Sequence, residues 1–154
     1  MRQEKRVAAG VAARVAGIVV AVVVAVTAGL AHSPAARAAG LSIELNKVED
    51  SAGACLGTFV ISNGLGHGLD RFSLDLYIFD KDGVVARRVA IDLAPLRSDK
   101  TTVTRFPLIQ GACDQVGRIL VNDIPACRSS DDGAMLDCLS GLTLTSRAGI
   151  ALTK

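Results

Sequence analysis

Residues 71–94 read RFSLDLYIFDKDGVVARRVAIDLA, and the spacing of their apolar side chains decides the fold class. Phe72, Leu74, Leu76 and Ile78 fall at every second position, with Ser73, Asp75, Tyr77 and Phe79 between them. A strand sends successive side chains to opposite faces, so this period of two predicts a strand with one face buried. A second apolar run, residues 84–94, follows the Asp82-Gly83 pair. Asp-Gly between two such runs is a hairpin signature, because glycine accepts the positive φ that a tight turn requires.

Two aspartates so close together also raise the question of a metal. A calcium loop of the EF-hand kind takes oxygen ligands at alternate positions and closes with a glutamate at the twelfth. Asp80, Asp82 and Gly83 supply a fragment of that pattern, but Ile78 stands where a first ligand is needed and Val89 where the closing glutamate belongs. Turn chemistry explains both aspartates, since Asp accepts hydrogen bonds from nearby backbone N–H groups. No metal ligand is expected here.

Outward from the hairpin the same rhythm continues. Leu41, Ile43 and Leu45 align on one side of residues 41–48, and Cys55, Gly57, Phe59 and Ile61 on one side of residues 54–62, which turns Cys55 inward. Residues 63–68, NGLGHG, form a glycine-rich loop, and residues 95–100, PLRSDK, form a second loop without glycine. Residues 101–109 are rich in β-branched side chains, and Pro107 places that strand at a sheet edge or a bulge, because proline donates nothing to a ladder. Residues 117–124, 139–146 and 149–154 give shorter strands, and residues 135–141 one helical turn. Seven or eight short strands separated by turns predict an all-β fold, an antiparallel β-sandwich over residues 39–154.

Two resemblances accompany this reading. Over residues 69–108, FSLDLYIFDKDGVVARRVAIDLAPLRSDKTTVTRF resembles the immunoglobulin-like domains of bacterial envelope proteins: an aromatic-rich strand, a D-x-D-G turn, a strand, an L-x-P loop and a threonine-rich strand. Leu96 stands after Pro95 where such domains often have glycine. Over nearly the whole of residues 39–154, LSIELNKVED, GAC, LDLYIFDKDGVVARR, LAPL, ACDQVGRILVND and DCL are similar to a group of small exported α-proteobacterial proteins. The first resemblance implies an immunoglobulin-like sandwich, the second an exported location without a mechanism.

The first 38 residues have another character. Arg2, Lys5, Arg6 and Arg14 precede the uncharged run of residues 15–31, and small residues stand at Ala36 and Ala38. A basic start, an apolar middle and an A-x-A ending predict a secretory signal peptide cleaved after Ala38. The alternative is an uncleaved inner-membrane anchor facing the periplasm, since the apolar run falls slightly short of the roughly 20 residues a spanning helix needs. Lys5-Arg6 stands where a twin-arginine signal needs paired arginines, which favours the general secretory route.

Cleavage changes the charge. The chain holds 17 Lys and Arg against 15 Asp and Glu, and the leader holds five of the basic residues and one of the acidic, leaving 12 against 14. The basicity therefore belongs to the leader and argues for no nucleic-acid partner. Without tryptophan and with one tyrosine, the chain also lacks the stacking platforms that bind single-stranded bases. All four cysteines, Cys55, Cys113, Cys127 and Cys138, lie beyond the leader, and an even count in an exported chain predicts disulfides. Three pairings are open; Cys55 with Cys113 and Cys127 with Cys138 is preferred, because the second closes a short polar loop and the first pins an inward-facing strand. The cysteines lack the close pairs of a structural zinc site and contain no C-x-x-C redox motif.

His67, in the glycine-rich loop with Asp70 nearby, lacks a nucleophile elbow and is expected to be a solvated loop residue. Asp131, Asp132 and Asp137 form an acidic segment, expected to be a solvated loop, with calcium as the alternative. Arg87 and Arg88 point to opposite faces of one strand, so they do not clamp a single anion; a cross-strand ion pair is expected instead. These readings describe a periplasmic or secreted module with no enzymatic site, no cofactor and no metal, detached from the membrane after cleavage. Its expected role is binding another envelope protein along the edge near residues 101–106. The alternatives are a membrane-anchored subunit, and a metal-dependent binder or enzyme built on His67 and the acidic loop 131–137.

Overall fold

A computed structural model describes residues 40–154; the leader expected over residues 1–38, with its cleavage site, lies outside the described residues. Eight strands follow in order: β1 (Gly40–Ser51), β2 (Ala54–Gly64), β3 (Leu69–Asp80), β4 (Val85–Asp92), β5 (Lys100–Gln110), β6 (Val116–Ser129), β7 (Thr143–Ser146) and β8 (Ala151–Thr153). They form two four-stranded sheets, β5-β2-β1-β7 and β4-β3-β6-β8. The sheets share one core, and the all-β sandwich is thereby established.

The period-two faces are the ones that meet. Leu41, Ile43 and Leu45 from β1, Cys55, Phe59 and Ile61 from β2, and Phe72, Leu74, Leu76 and Ile78 from β3 are all buried. Burying a side chain of this kind is worth about 1.5–3 kcal/mol, which is why alternation fixes which face turns inward. Phe59 and Phe106 stack between β2 and β5 with ring centroids 4.8 Å apart.

Three local features depart from or refine the expectations. The helical turn expected over residues 135–141 is absent; the 3-10 turn of the described residues is Cys113–Gln115. Cys138 in that segment is bonded to Cys127, and residues 138–141 form a turn closed by the Leu142 N–H donating to the Leu139 carbonyl at 3.2 Å. β6 runs past residue 124 to Ser129, so the cysteine-bounded segment begins inside a strand. The four long pairings are antiparallel, whereas the two short strands join in parallel, β7 to β1 and β8 to β6.

That last feature organises the molecule. Residues 143–153 leave one sheet as β7 and enter the other as β8, so one flank of the sandwich is crossed by continuous chain. On the opposite flank stand β4 and β5, each the last strand of its sheet, near one another without pairing. Pro107 lies on β5 beside the register shift opposite Cys55 and Leu56, and so satisfies both of its expected placements, edge and bulge.

Both disulfides take the preferred pairing, Cys55–Cys113 and Cys127–Cys138. Bonds of this kind persist in oxidising compartments. Among the described residues no helix is long and apolar enough to cross a membrane.

Candidate functional site: the open flank and its surroundings

β5 presents its outer edge along eleven residues. Phe106 and Leu108 anchor one face in the core, while Val103 on the other is 63% exposed. Val103 lies beside Val60 of β2, and Thr101 beside Ser62, with their hydroxyl oxygens 2.9 Å apart. Arg105 is held by Glu49 of β1, Nη1 to Oε1 at 2.7 Å. An edge strand leaves a row of backbone N–H and C=O groups without a strand partner, and proteins blunt such edges with charges and proline. Lys100, Arg105 and Pro107 blunt both ends of β5, and the stretch from Thr101 to Thr104 carries no such guard.

At the Gln110 end of β5 the flank opens into a cleft of about 700 Å³, lined by Asp80, Lys81, Arg87, Gln110, Asp114 and Gln115 among others. The β3–β4 hairpin forms one wall of it. Asp80 Oδ1 accepts hydrogen bonds from the backbone N–H groups of Asp82 at 3.0 Å and Val84 at 2.8 Å. Gly83 has φ +79°. The Asp80 carboxylate therefore shapes the turn, as its sequence context required. The two arginines separate: Arg87 faces the cleft, while Arg88 reaches over β3 to Asp75, Nε to Oδ1 at 2.6 Å.

The residues of the enzymatic alternative are only partly brought together. His67 is half-buried, and its Nε2 is enclosed without a hydrogen-bond partner, in contrast to the solvated loop residue expected. The cause is Asn63 at the end of β2, whose buried amide donates to the carbonyls of His67 at 3.0 Å, Leu96 at 3.3 Å and Arg97 at 3.2 Å, folding the glycine-rich loop down onto residues 96–97. Asp70 does not orient His67, because Arg128 takes both of its carboxylate oxygens, at 2.9 and 2.8 Å. That bidentate bond holds the Asp70 carboxyl below its ordinary range.

In the acidic segment, Asp132 comes close enough to His67 to feel its charge, yet its carboxyl is lowered first by the Ala134 N–H and then by Ser129. Asp137 is lowered chiefly by Ser140, whose hydroxyl and backbone N–H both donate to it. Asp131 accepts from the Ser130 hydroxyl at 3.2 Å. These carboxylates are engaged in local turns. Among the described residues no three His, Cys, Asp or Glu side chains are grouped to hold a metal ion.

Two polar residues that organise the surface escape a period-two reading. Asn63 resembles any loop asparagine, and Asp75 any outward-facing strand residue, yet both are buried. Asp75 sits between two register shifts in the β3–β6 pairing, where Asn122 Nδ2 also reaches it at 3.2 Å. Its carboxyl is held low first by Arg88, against the opposing effect of burial, with help from Asn122. The partner is not directly opposite either: Arg88, the fourth residue of β4, pairs with Tyr77 and reaches Asp75 diagonally, one same-face position along β3.

No family model matches the chain. No curated protein matches it, so the similarity to exported α-proteobacterial proteins rests on the quoted residues alone. Among solved structures, the chain is similar to IrmA from Escherichia coli at 17% identity and a TM-score of 0.49, over 68% of this chain and 90% of that one.

Proposed function

We propose that the chain is an exported, non-enzymatic module of the bacterial envelope that binds another protein by accepting a strand on the edge of β5. The observation that carries this reading is the contrast along the β5 edge, where charged or proline guards stand at both ends and Val103 is exposed between them. Backbone pairing supplies affinity in such complexes and alternate side-chain positions supply selectivity. The two disulfides support work in the periplasm or outside the cell, with residues 1–38 removed on the way. We read the sandwich as immunoglobulin-like, supported by the run from the β3–β4 hairpin in one sheet to threonine-rich β5 in the other. The uncharged run of residues 15–31 favours a second form, in which the same module stays tethered to the inner membrane.

A photo-cross-linking side chain placed at Val103 tests the reading in the native host. The expected result is one discrete adduct at Val103 and none at Thr145, an exposed position on β7 at the opposite flank. Equal labelling at both positions, or adducts at neither, contradicts strand addition on β5. The mass of the recovered chain separates cleaved from tethered forms.

A further inference from the structure

The chain has one tyrosine and four phenylalanines, and three of the phenylalanines, Phe59, Phe72 and Phe106, are buried in the core. The remaining two rings, Tyr77 and Phe79, stand two residues apart on β3, on either side of buried Ile78. They therefore share the face of the β4-β3-β6-β8 sheet turned away from the core. Each ring is covered by an arginine from a neighbouring strand. Arg118 of β6 lies opposite Phe79 with its guanidinium carbon 3.6 Å from the ring centroid, and Arg88 of β4 lies opposite Tyr77 at 5.9 Å. Leu120 flanks Tyr77 on the β6 side, and exposed Val85 flanks Phe79 on the β4 side.

Aromatic and arginine side chains dominate binding energy at protein interfaces, where lysine and glutamate are depleted. Here they form one contiguous patch in a chain otherwise poor in aromatics. The charge on the patch is unbalanced. Arg88 is neutralised by Asp75, whereas Arg118 makes no ion pair among the described residues. A guanidinium stacked on a ring presents its N–H donors at its edge, in the fork geometry that fits a carboxylate.

We infer that this outer face is a second docking surface, separate from the β5 edge, for an acidic protein segment whose carboxylate meets Arg118 while an apolar side chain packs against Tyr77, Phe79 and Leu120. Charge complementarity selects the occupant. A basic segment is repelled by Arg118, and a neutral one leaves that cation uncompensated as water is excluded.

Selection of a random displayed-peptide library on the disulfide-bonded chain tests this. The expected result is enrichment of sequences with Asp or Glu beside aliphatic or aromatic residues. Their binding falls at least tenfold in Arg118→Glu and in Arg118→Gln, and stays unchanged in Val103→Lys. Near-ultraviolet circular dichroism confirms that each variant is folded; if Arg118→Glu is not, Arg118→Gln carries the comparison. An empty selection, enriched peptides without carboxylates, or binding unaffected at Arg118 overturns the proposal. Loss of binding in Val103→Lys alone assigns the peptides to β5 and likewise overturns it. Arg118-dependent binding to phosphatidylglycerol vesicles, without binding to acidic peptides, replaces the protein partner with a membrane surface.

Discussion

The two flanks of the sandwich solve the same problem in different ways. On one, the chain itself crosses between sheets as β7 and β8, and Leu142, Ile150 and Leu152 are buried along the crossing. On the other, β4 and β5 end their sheets, residues 93–99 join them at the Lys100 end with Leu96 buried, and a cleft opens at the Gln110 end. Each flank also has a disulfide. Cys127–Cys138 ties β6 to the segment leading into β7, while Cys55–Cys113 ties β2 to the residues just beyond β5. Neither disulfide joins β4 to β5, and the outer edge of β5 keeps no strand partner among the described residues.

Removing the disulfides one at a time breaks the comparison most severely. Cys55–Cys113 spans 58 residues and Cys127–Cys138 spans 11. A cross-link constrains the unfolded chain more when its loop is longer, about 4 kcal/mol against about 3 kcal/mol here. Thermal or denaturant unfolding of Cys55→Ala/Cys113→Ala and of Cys127→Ala/Cys138→Ala is expected to show the larger loss in the first pair. The reverse order would mean that the crossed flank depends on its covalent tie more than the open one.

A smaller effect is expected on the sheet that carries β4. Arg88 holds the buried Asp75 carboxyl below its ordinary value of 3.8. A carboxyl lowered in the folded state stabilises the fold above its unfolded pKa, and that contribution disappears as pH falls through the folded value. Arg88→Ala removes the main cause, so Asp75 takes up its proton at higher pH and the acid-unfolding midpoint moves upward. An acid transition identical to that of the unsubstituted chain would show that Asn122 alone suffices.

The weakest response sharpens the contrast. Val103→Lys changes an exposed side chain on β5 and is expected to alter stability by no more than roughly 0.5 kcal/mol, while disfavouring an added strand. A large loss of stability would mean that Val103 is covered in the isolated chain.

Much of this was legible in the residues themselves. Alternation placed Leu41, Cys55, Phe59, Phe72 and Leu76 inward, because a one-residue slip would expose the whole apolar set. Pro107 marked an edge because its missing N–H excludes a central position. The short strands β7 and β8 fall within the runs expected at residues 139–146 and 149–154, but their parallel pairing to β1 and β6 was not legible, because it rests on contacts distant in sequence. Asp75 and Asn63 read as surface residues because period two assigns a face but does not register bulges or the side chains that cover a position. Arg118 and Phe79 read as ordinary outer-face residues, since cross-strand register brings them together and nothing in their separation along the chain announces it.

Native-state amide hydrogen exchange on the purified, disulfide-bonded chain tests the openness of β5 most directly. Along residues 101–106, alternate amides are expected to exchange rapidly while their neighbours, bonded to β2, and the amides of central strands β1, β2, β3 and β6 remain protected. Uniform protection along β5 would contradict the account, because it would place another strand or segment on the edge assigned to a partner.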